Sequence, residues 1–588
     1  MNWQNHSLIR LIIPFTMGMI GANLFIVHMD ESVLFILCCI VLAFSFFLIK
    51  SSHTYRDSMF GVVAMTFFFL LGMTLYTGKH HRIANSVPQD TTFCQGILAE
   101  MPTEKDRSWA LNLQQEDGTH ILLYIGKDWE EPQHDSCTFA TLQLGDTILA
   151  HIKHLEETEN GGGKFYFYRR YLFHHGICAT AYTPHGHWTS KPCQSRQSLI
   201  LFAKENQNHL HHIYEDNGLD QEAINIIEAM TIGRKTDIPK ETRTAYAHAG
   251  VSHVLALSGF HVGIIVLMLQ FFSLKHMLSL RWRWISNLVI AVALWCYALL
   301  TGLSPSLVRA TLMFTILLLS QSTFRNDLSL NSCALAFFIM LCINPFYLHD
   351  IGFQLSFIAV GSIGILGKKL ITLASFHNNL AHYAWLITII AISLISTLFT
   401  APLVAYHFGH VSTLALLSNL LLFPFVYLLM FASILWWAFL WCPPISDLLT
   451  LLLNWTATTM NTISETIASI PFSTIEWHPN LATTLLCYTA LLALTYFIKT
   501  KKLTTYDTRR TLGTELQQHH DLHDERKKTP FQTSKGRAPD AQLDEVPEKT
   551  AQPREIQART HREIPETAGD SGPIPPQEPV CLYSQTPR

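Results

Sequence analysis

The feature that most constrains this chain is a set of apolar runs, each long enough to cross a bilayer, which takes about 20 residues as helix. Leu8–Val27, Val33–Ile49 and Met59–Thr77 come first. Further runs lie at approximately 250–271, 285–303, 307–321, 328–343, 351–367, 382–405, 411–437, 446–470 and 479–498. They predict about twelve spans. Only 14% of the 588 residues are charged, against about 25% in an ordinary soluble domain. The deficit falls on 1–78 and 250–498, whereas 79–248 and 499–588 are dense in charge. The first run has no small-residue cleavage site and is closely followed by two more, so it predicts a retained helix rather than a signal peptide.

Lys and Arg in short loops mark the cytoplasmic side. With the N-terminus inside, Arg10, Lys50, Arg56, Lys275, Arg281, Arg283, Arg325, Lys368, Lys369, Lys499, Lys501 and Lys502 all fall inside. His28–Ser32, Ser304–Ser306, Asn344–Asp350 and His407–His410 fall outside, as does the long segment 79–249. Both termini are thus expected in the cytoplasm of a multi-pass inner-membrane protein. Pro305 and Pro424 mark places where a broken or re-entrant helix would fit.

In the outside region, Ile121–Ile125, Thr147–Lys153 and Phe165–Leu172 read as strands, separated by turn signals such as Leu144-Gly145-Asp146. Short strands of this kind predict a small barrel or sandwich over 79–195, and an OB-like β-barrel fits the size. Lys164, Tyr166, Arg169 and Arg170 belong to a run that interleaves aromatic and basic residues. Such a run suits single-stranded nucleic acid, which binds by stacking and phosphate attraction. It also suits a half-buried strand whose aromatics are core, the plainer reading. The region holds ten Lys and Arg against fourteen Asp and Glu, so only a local patch is basic. Cys94, Cys137, Cys178 and Cys193 admit one bridge or buried free thiols. Residues 196–249 predict an amphipathic helical segment outside, with Ala223, Ile224, Ile227 and Met230 at helical spacing before Gly233.

Polar residues inside spans are costly and usually face a cavity or another helix. In Gly250–Gly263 they are Ser252, His253, Ser258 and His261, with Gly250, Gly259 and Gly263 as small packing positions. On one helix the two histidines would share a broad face. Either they are hydrogen-bonded core residues or they line a path. Thr301–Ala310 is an outside turn with Pro305, leading into a span that carries Arg309 in its first turn. Arg309 either snorkels to the interface or faces a wet path and meets an anion. Asp350 stands where an N-cap belongs, with Gln354 one turn deeper. Pro402, Tyr406–Ser412, Ser418-Asn419 and Pro424 form a polar turn followed by an interrupted helix.

His253-Val-Leu-Ala-Leu-Ser-Gly-Phe-His-Val-Gly263 resembles the signature of the ComEC competence family. Gly302–Ala310, Asp350–Phe357 and the Pro402 to Pro424 run resemble its further motifs in the same order, and Leu144–Asp146 and Asn160–Thr180 resemble its OB-like domain. The resemblance covers roughly residues 1–500. It implies uptake of single-stranded DNA through an inner-membrane channel during natural transformation. His253, Ser258, His261, Arg309 and Gln354 would then line the path, and the fold would be a polytopic α-helical membrane protein. Implied partners are single-stranded DNA, membrane lipids, DNA-receptor proteins and a separate cytoplasmic nuclease or helicase.

Many members of that family continue into a metallo-β-lactamase-like nuclease domain, for which this chain shows no pattern. Residues 499–588 are rich in Gln, Glu, Arg, Thr and Pro and predict a disordered cytoplasmic tail. His519–Asp524 follows no strand and lacks a metal-ligand pattern. No metal, cofactor or catalytic residue is expected. The alternative function is a transporter or exporter of a small or envelope-derived solute on the same scaffold.

Overall fold

A computed structural model describes residues 7–25, 31–50, 56–88, 92–127, 139, 142–159, 166–192, 199–235, 238–273, 280–321, 329–375 and 384–497. The chain divides into two units, Met1–Thr504 and Thr505–Arg588. The second unit, most of the expected tail, lies outside the described residues.

Three helices open the chain: α1 (Ser7–Phe25), α2 (Glu31–Lys50) and α3 (Arg56–Ala84). Helices α1 and α3 cross at two glycines. A Cβ on Gly18 would lie 2.0 Å from the Phe69 carbonyl oxygen, and one on Gly72 would lie 2.1 Å from that of Phe15. Only residues without a side chain let the two backbones meet this closely.

An eight-stranded sheet follows: β1 (Phe93–Leu98), β2 (Thr103–Glu104), β3 (Ser108–Gln114), β4 (His120–Gly126), β5 (Thr147–His151), β6 (His154–Glu157), β7 (Ile177–Thr183) and β8 (Trp188–Lys191). The strand order is β6-β7-β4-β3-β1-β5-β8, with β2 on β3. Strands β4 and β7 are parallel and the other pairs antiparallel. Alternation places Cys94, Leu98, Ile121, Leu123, Ile125, Ile148 and Ala150 in one core. The expected OB-like β-barrel is not closed, because β6 and β8 end the path without pairing to each other. Cys94 and Cys178 are buried free thiols, and burial pushes each up to about 11. Cys137 and Cys193 lie outside the described residues.

The expected strand at Phe165–Leu172 is instead a helix, α4 (Tyr166–His174), which crosses from β6 to β7. Leu172 and Phe173 are both buried while Phe167 is 83% exposed. Two adjacent residues cannot both face the core from a flat strand, whereas one side of a helix accepts them. This helix joins the sheet to the membrane part. Arg170 Nη2 and Tyr76 Oη each donate to Asn23 Oδ1 at 3.0 Å. Tyr76 Oη also meets His349 Nε2 at 3.0 Å.

Helices α5 (Leu199–Asp216), α6 (Gln221–Thr231) and α7 (Lys240–His248) make up the segment expected to be amphipathic. Its middle helix is enclosed on all sides: every residue from Ala223 to Met230 is buried. Buried Glu228 meets His211 Nδ1 at 2.7 Å and Arg234 Nε at 3.8 Å. Gly233, at φ 78°, ends the helix as the left-handed residue expected there. It packs close to Leu257 and the Thr301 carbonyl.

The remaining helices are α8 (Gly259–Phe272), α9 (Leu280–Leu300), α10 (Pro305–Gln321), α11 (Ser329–Ile343), α12 (Ile351–Ser375), α13 (Ala384–Phe408), α14 (Ala415–Phe439), α15 (Pro443–Ser469) and α16 (Leu481–Phe497). A 3-10 turn, Pro345–His349, links α11 to α12. Within α3, α9, α13 and α14 lie four helical stretches long and apolar enough to cross a membrane. Helices α1, α2, α8, α10, α11, α12 and α16 contain shorter apolar stretches. The expected span at 446–470 is α15, which is rich in Thr and Ser. The hydroxyls of Thr456, Thr459, Thr462, Ser464 and Thr466 each bond back to a carbonyl four residues earlier. Helix α14 runs unbroken through Pro424. A two-stranded ribbon, β9 (His410–Ser412) with β10 (Thr474–Glu476), ties the α13–α14 turn to the α15–α16 turn.

Candidate functional site

The sequence predicted a helix from residue 250. The structure delays it to Gly259, because residues 251–258 form a turn. His253 therefore precedes the helix and is exposed, so it shares no helical face with His261. Ser258 is the N-cap of α8. Its Oγ accepts from the Phe260 N–H at 3.3 Å, and its own N–H donates to His261 Nδ1 at 3.2 Å. This is a capping box with His where Glu or Gln usually stands. A backbone N–H can only donate, so Nδ1 is an acceptor and the neutral ring carries its proton on Nε2. That Nε2 is buried and has no partner among the described residues.

Helices α8 and α10 run parallel. A Cβ on Gly259 would lie 3.7 Å from Ala310, and one on Gly263 would lie 3.4 Å from Phe314. These are ordinary contacts, so neither glycine is forced by close packing. Pro305 is the first residue of α10, where its missing N–H costs nothing. The turn before it holds Gly302 at φ 78° and Leu303 at φ 53°. Two successive left-handed residues, one of them a leucine, make this a strained entry.

Arg309, one turn into α10, is 2% exposed. Its Nη2 donates to Ser306 Oγ at 3.1 Å. Its Nη1 lies 3.5 Å from Asp350 Oδ1, within ion-pair range but outside hydrogen-bond geometry. Nε has no hydrogen-bond partner among the described residues. Asp350 is the N-cap of α12: its Oδ1 accepts from the Phe353 N–H at 2.5 Å. Gly352 makes room for the guanidinium, since a Cβ there would lie 2.9 Å from Nη2. Gln354 turns away, donating from Nε2 to the Leu348 carbonyl at 2.8 Å.

The structure thus brings Ser258, His261, Arg309 and Asp350 to the starts of three neighbouring helices. Helix α14 begins at the same end: Gly250, just before the α8 turn, packs against Ser412 and Ala415. Ser418 and Asn419 lie deeper, and Asn419 Nδ2 donates to Ser393 Oγ of α13 at 3.0 Å.

In the sheet region, Arg169 is committed to an ion pair with Glu156, and Arg170 reaches α1. Lys164 and the Tyr166 side chain lie outside the described residues. The exposed strip on α4 is aromatic instead: Phe167, Tyr168 and Tyr171, with Tyr168 stacked on Tyr171 and Tyr171 against His175. Helical spacing of 168, 171 and 175 was the signal that would have revealed it.

A family model described as competence protein matches residues 230–501. ComE operon protein 3 of Bacillus subtilis (strain 168) is 26% identical over 404 residues, covering 64% of this chain and 46% of that protein. An uncharacterized protein of Aquifex aeolicus (strain VF5) is 31% identical over 196 residues, covering 33% of this chain and 42% of its own length. The chain thus spans less than half the length of these curated relatives. No solved structure matches. All four core motifs fall inside the matched stretch, so residues 230–501 are similar to the competence-protein family and carry its motifs in order.

Proposed function

We propose that the chain is an inner-membrane channel for single-stranded DNA during natural transformation. The observation that carries this reading is the meeting of three helix starts, α8, α10 and α12, at a buried arginine, with α14 beginning at the same end. Helix N-termini carry partial positive charge, so this end of the core attracts a polyanion without a wall of lysines. Dispersed polar groups suit transit, since tight binding would stall a moving strand. The loop charges support an orientation with this end and the sheet outside, both termini inside and about twelve spans. Bases would stack on Phe167, Tyr168 and Tyr171 before entry. The test is a deletion strain complemented with wild type or Arg309→Ala. Wild type restores entry of labelled DNA into the cytoplasm and Arg309→Ala does not. Normal entry in the deletion strain overturns the reading.

A further inference from the structure

We infer that Arg309 is an exchange station for one phosphodiester at a time, where the incoming anion takes over the guanidinium from Asp350. The inference rests on the channel reading and names the ligand of that site.

A buried guanidinium must have its charge and its N–H groups satisfied. Here the satisfaction is incomplete: Nη2 has Ser306, while Nε and Nη1 have no hydrogen bond among the described residues. Asp350 supplies charge at 3.5 Å but no directed bond. Its Oδ1 is already engaged by the Phe353 N–H as the cap of α12. The carboxylate can therefore give up Arg309 without losing its anchor. Ser304, immediately before α10, adds a buried hydroxyl whose Oγ has no hydrogen-bond partner among the described residues.

The missing partner needs acceptor oxygens on more than one side and a single negative charge. Once Asp350 has given way, the guanidinium offers one positive charge, which a single negative charge balances and a dianion would exceed. A phosphodiester has two non-bridging oxygens sharing one charge and fits both requirements. Exchange with a resident carboxylate also keeps the hold weak: each phosphate leaves as Asp350 returns, which a moving strand requires.

The test uses the full chain in lipid nanodiscs and two fluorescent probes of equal length, an oligothymidylate and an abasic deoxyribose-phosphate oligomer. Wild type binds both, the oligothymidylate more tightly through stacking on the α4 aromatics, and the Arg309 substitutions change the two affinities by the same factor, since the station reads the diester. Arg309→Gln weakens both about tenfold or more, the size of a lost charge-assisted bond. Arg309→Lys falls between. Asp350→Asn keeps the cap but removes the competitor, and tightens both several-fold. Misfolding cannot produce these opposite signs. Unchanged binding in Arg309→Gln, or weakening in Asp350→Asn, overturns the station while leaving the channel reading intact if wild type binds and imports DNA. If wild type binds neither probe and the deletion strain imports DNA normally, both fail.

Discussion

The imidazoles of His174 and His349 lie face to face, with 4.1 Å between ring centroids and 7° between planes. One ring comes from α4 beside the sheet and the other from the turn before α12, so the stack is part of the joint between sheet and membrane core. Burial holds His174 down at about 3, and His349, Arg170, His175 and His80 repel its proton further. Burial holds His349 at about 4, with Arg170 adding to the effect.

Both rings are neutral in the folded protein and take up protons more readily when unfolded. Between the usual 6.5 and these lowered values the unfolded chain binds more protons, so the joint is most stable above 6.5 and weakens as pH falls below it. Protease cutting between the sheet and the core should rise from about pH 7 to about pH 5. His349→Phe keeps a flat ring and should flatten that profile. An equal pH slope in the variant would remove the stack as its cause.

Gly18→Ala or Gly72→Ala should each lower stability by about 1–3 kcal/mol, because a methyl must push a backbone carbonyl away. The double variant should cost less than the sum, since the first substitution already parts the helices. Gly61→Ala on the same α3 meets nothing within 4 Å and serves as the control. Thermal unfolding in detergent measures all four.

Glu228→Ala should cost about 3–5 kcal/mol, because it strips a buried carboxylate from His211 and Arg234. Glu228→Gln retains an acceptor for His211 and should cost less. Chain abundance and melting temperature should follow the same order.

Gly352→Ala should reduce DNA entry about tenfold by displacing the guanidinium from its place beside Asp350. Gly361→Ala on the same helix, with nothing within 4 Å, should leave entry unchanged. Equal losses in the two would trace the effect to α12 as a whole.

The apolar helices were legible because a run of about 20 apolar residues has few other fates. Strands β4 and β5 were legible from alternation. Helix α4 was not, because its aromatic and basic residues satisfy periods of two and of 3.6 equally well, and contacts with α1 and α3 decide between them. The start of α8 was readable in Ser258-Gly-Phe-His261, a capping box hidden by its histidine. Nothing local joins Arg309 to Asp350; they meet only because α10 and α12 begin side by side. Glu228 was hidden for the opposite reason, since a lone carboxylate on an apolar helix gives no sign of which distant base it meets.

The β9–β10 ribbon clips two helical turns together at the end where α14 starts. At the other end residues 440–442 join α14 directly to α15, and Trp436 Nε1 donates to Thr450 Oγ1 at 2.9 Å across that pair. The two helices are thereby fastened at both ends, like a buckled belt, and neither can slide along the other without breaking one fastening. A crosslink between residues 411 and 475 should therefore change little, whereas Val411→Pro or Ile475→Pro should release only the ribbon end.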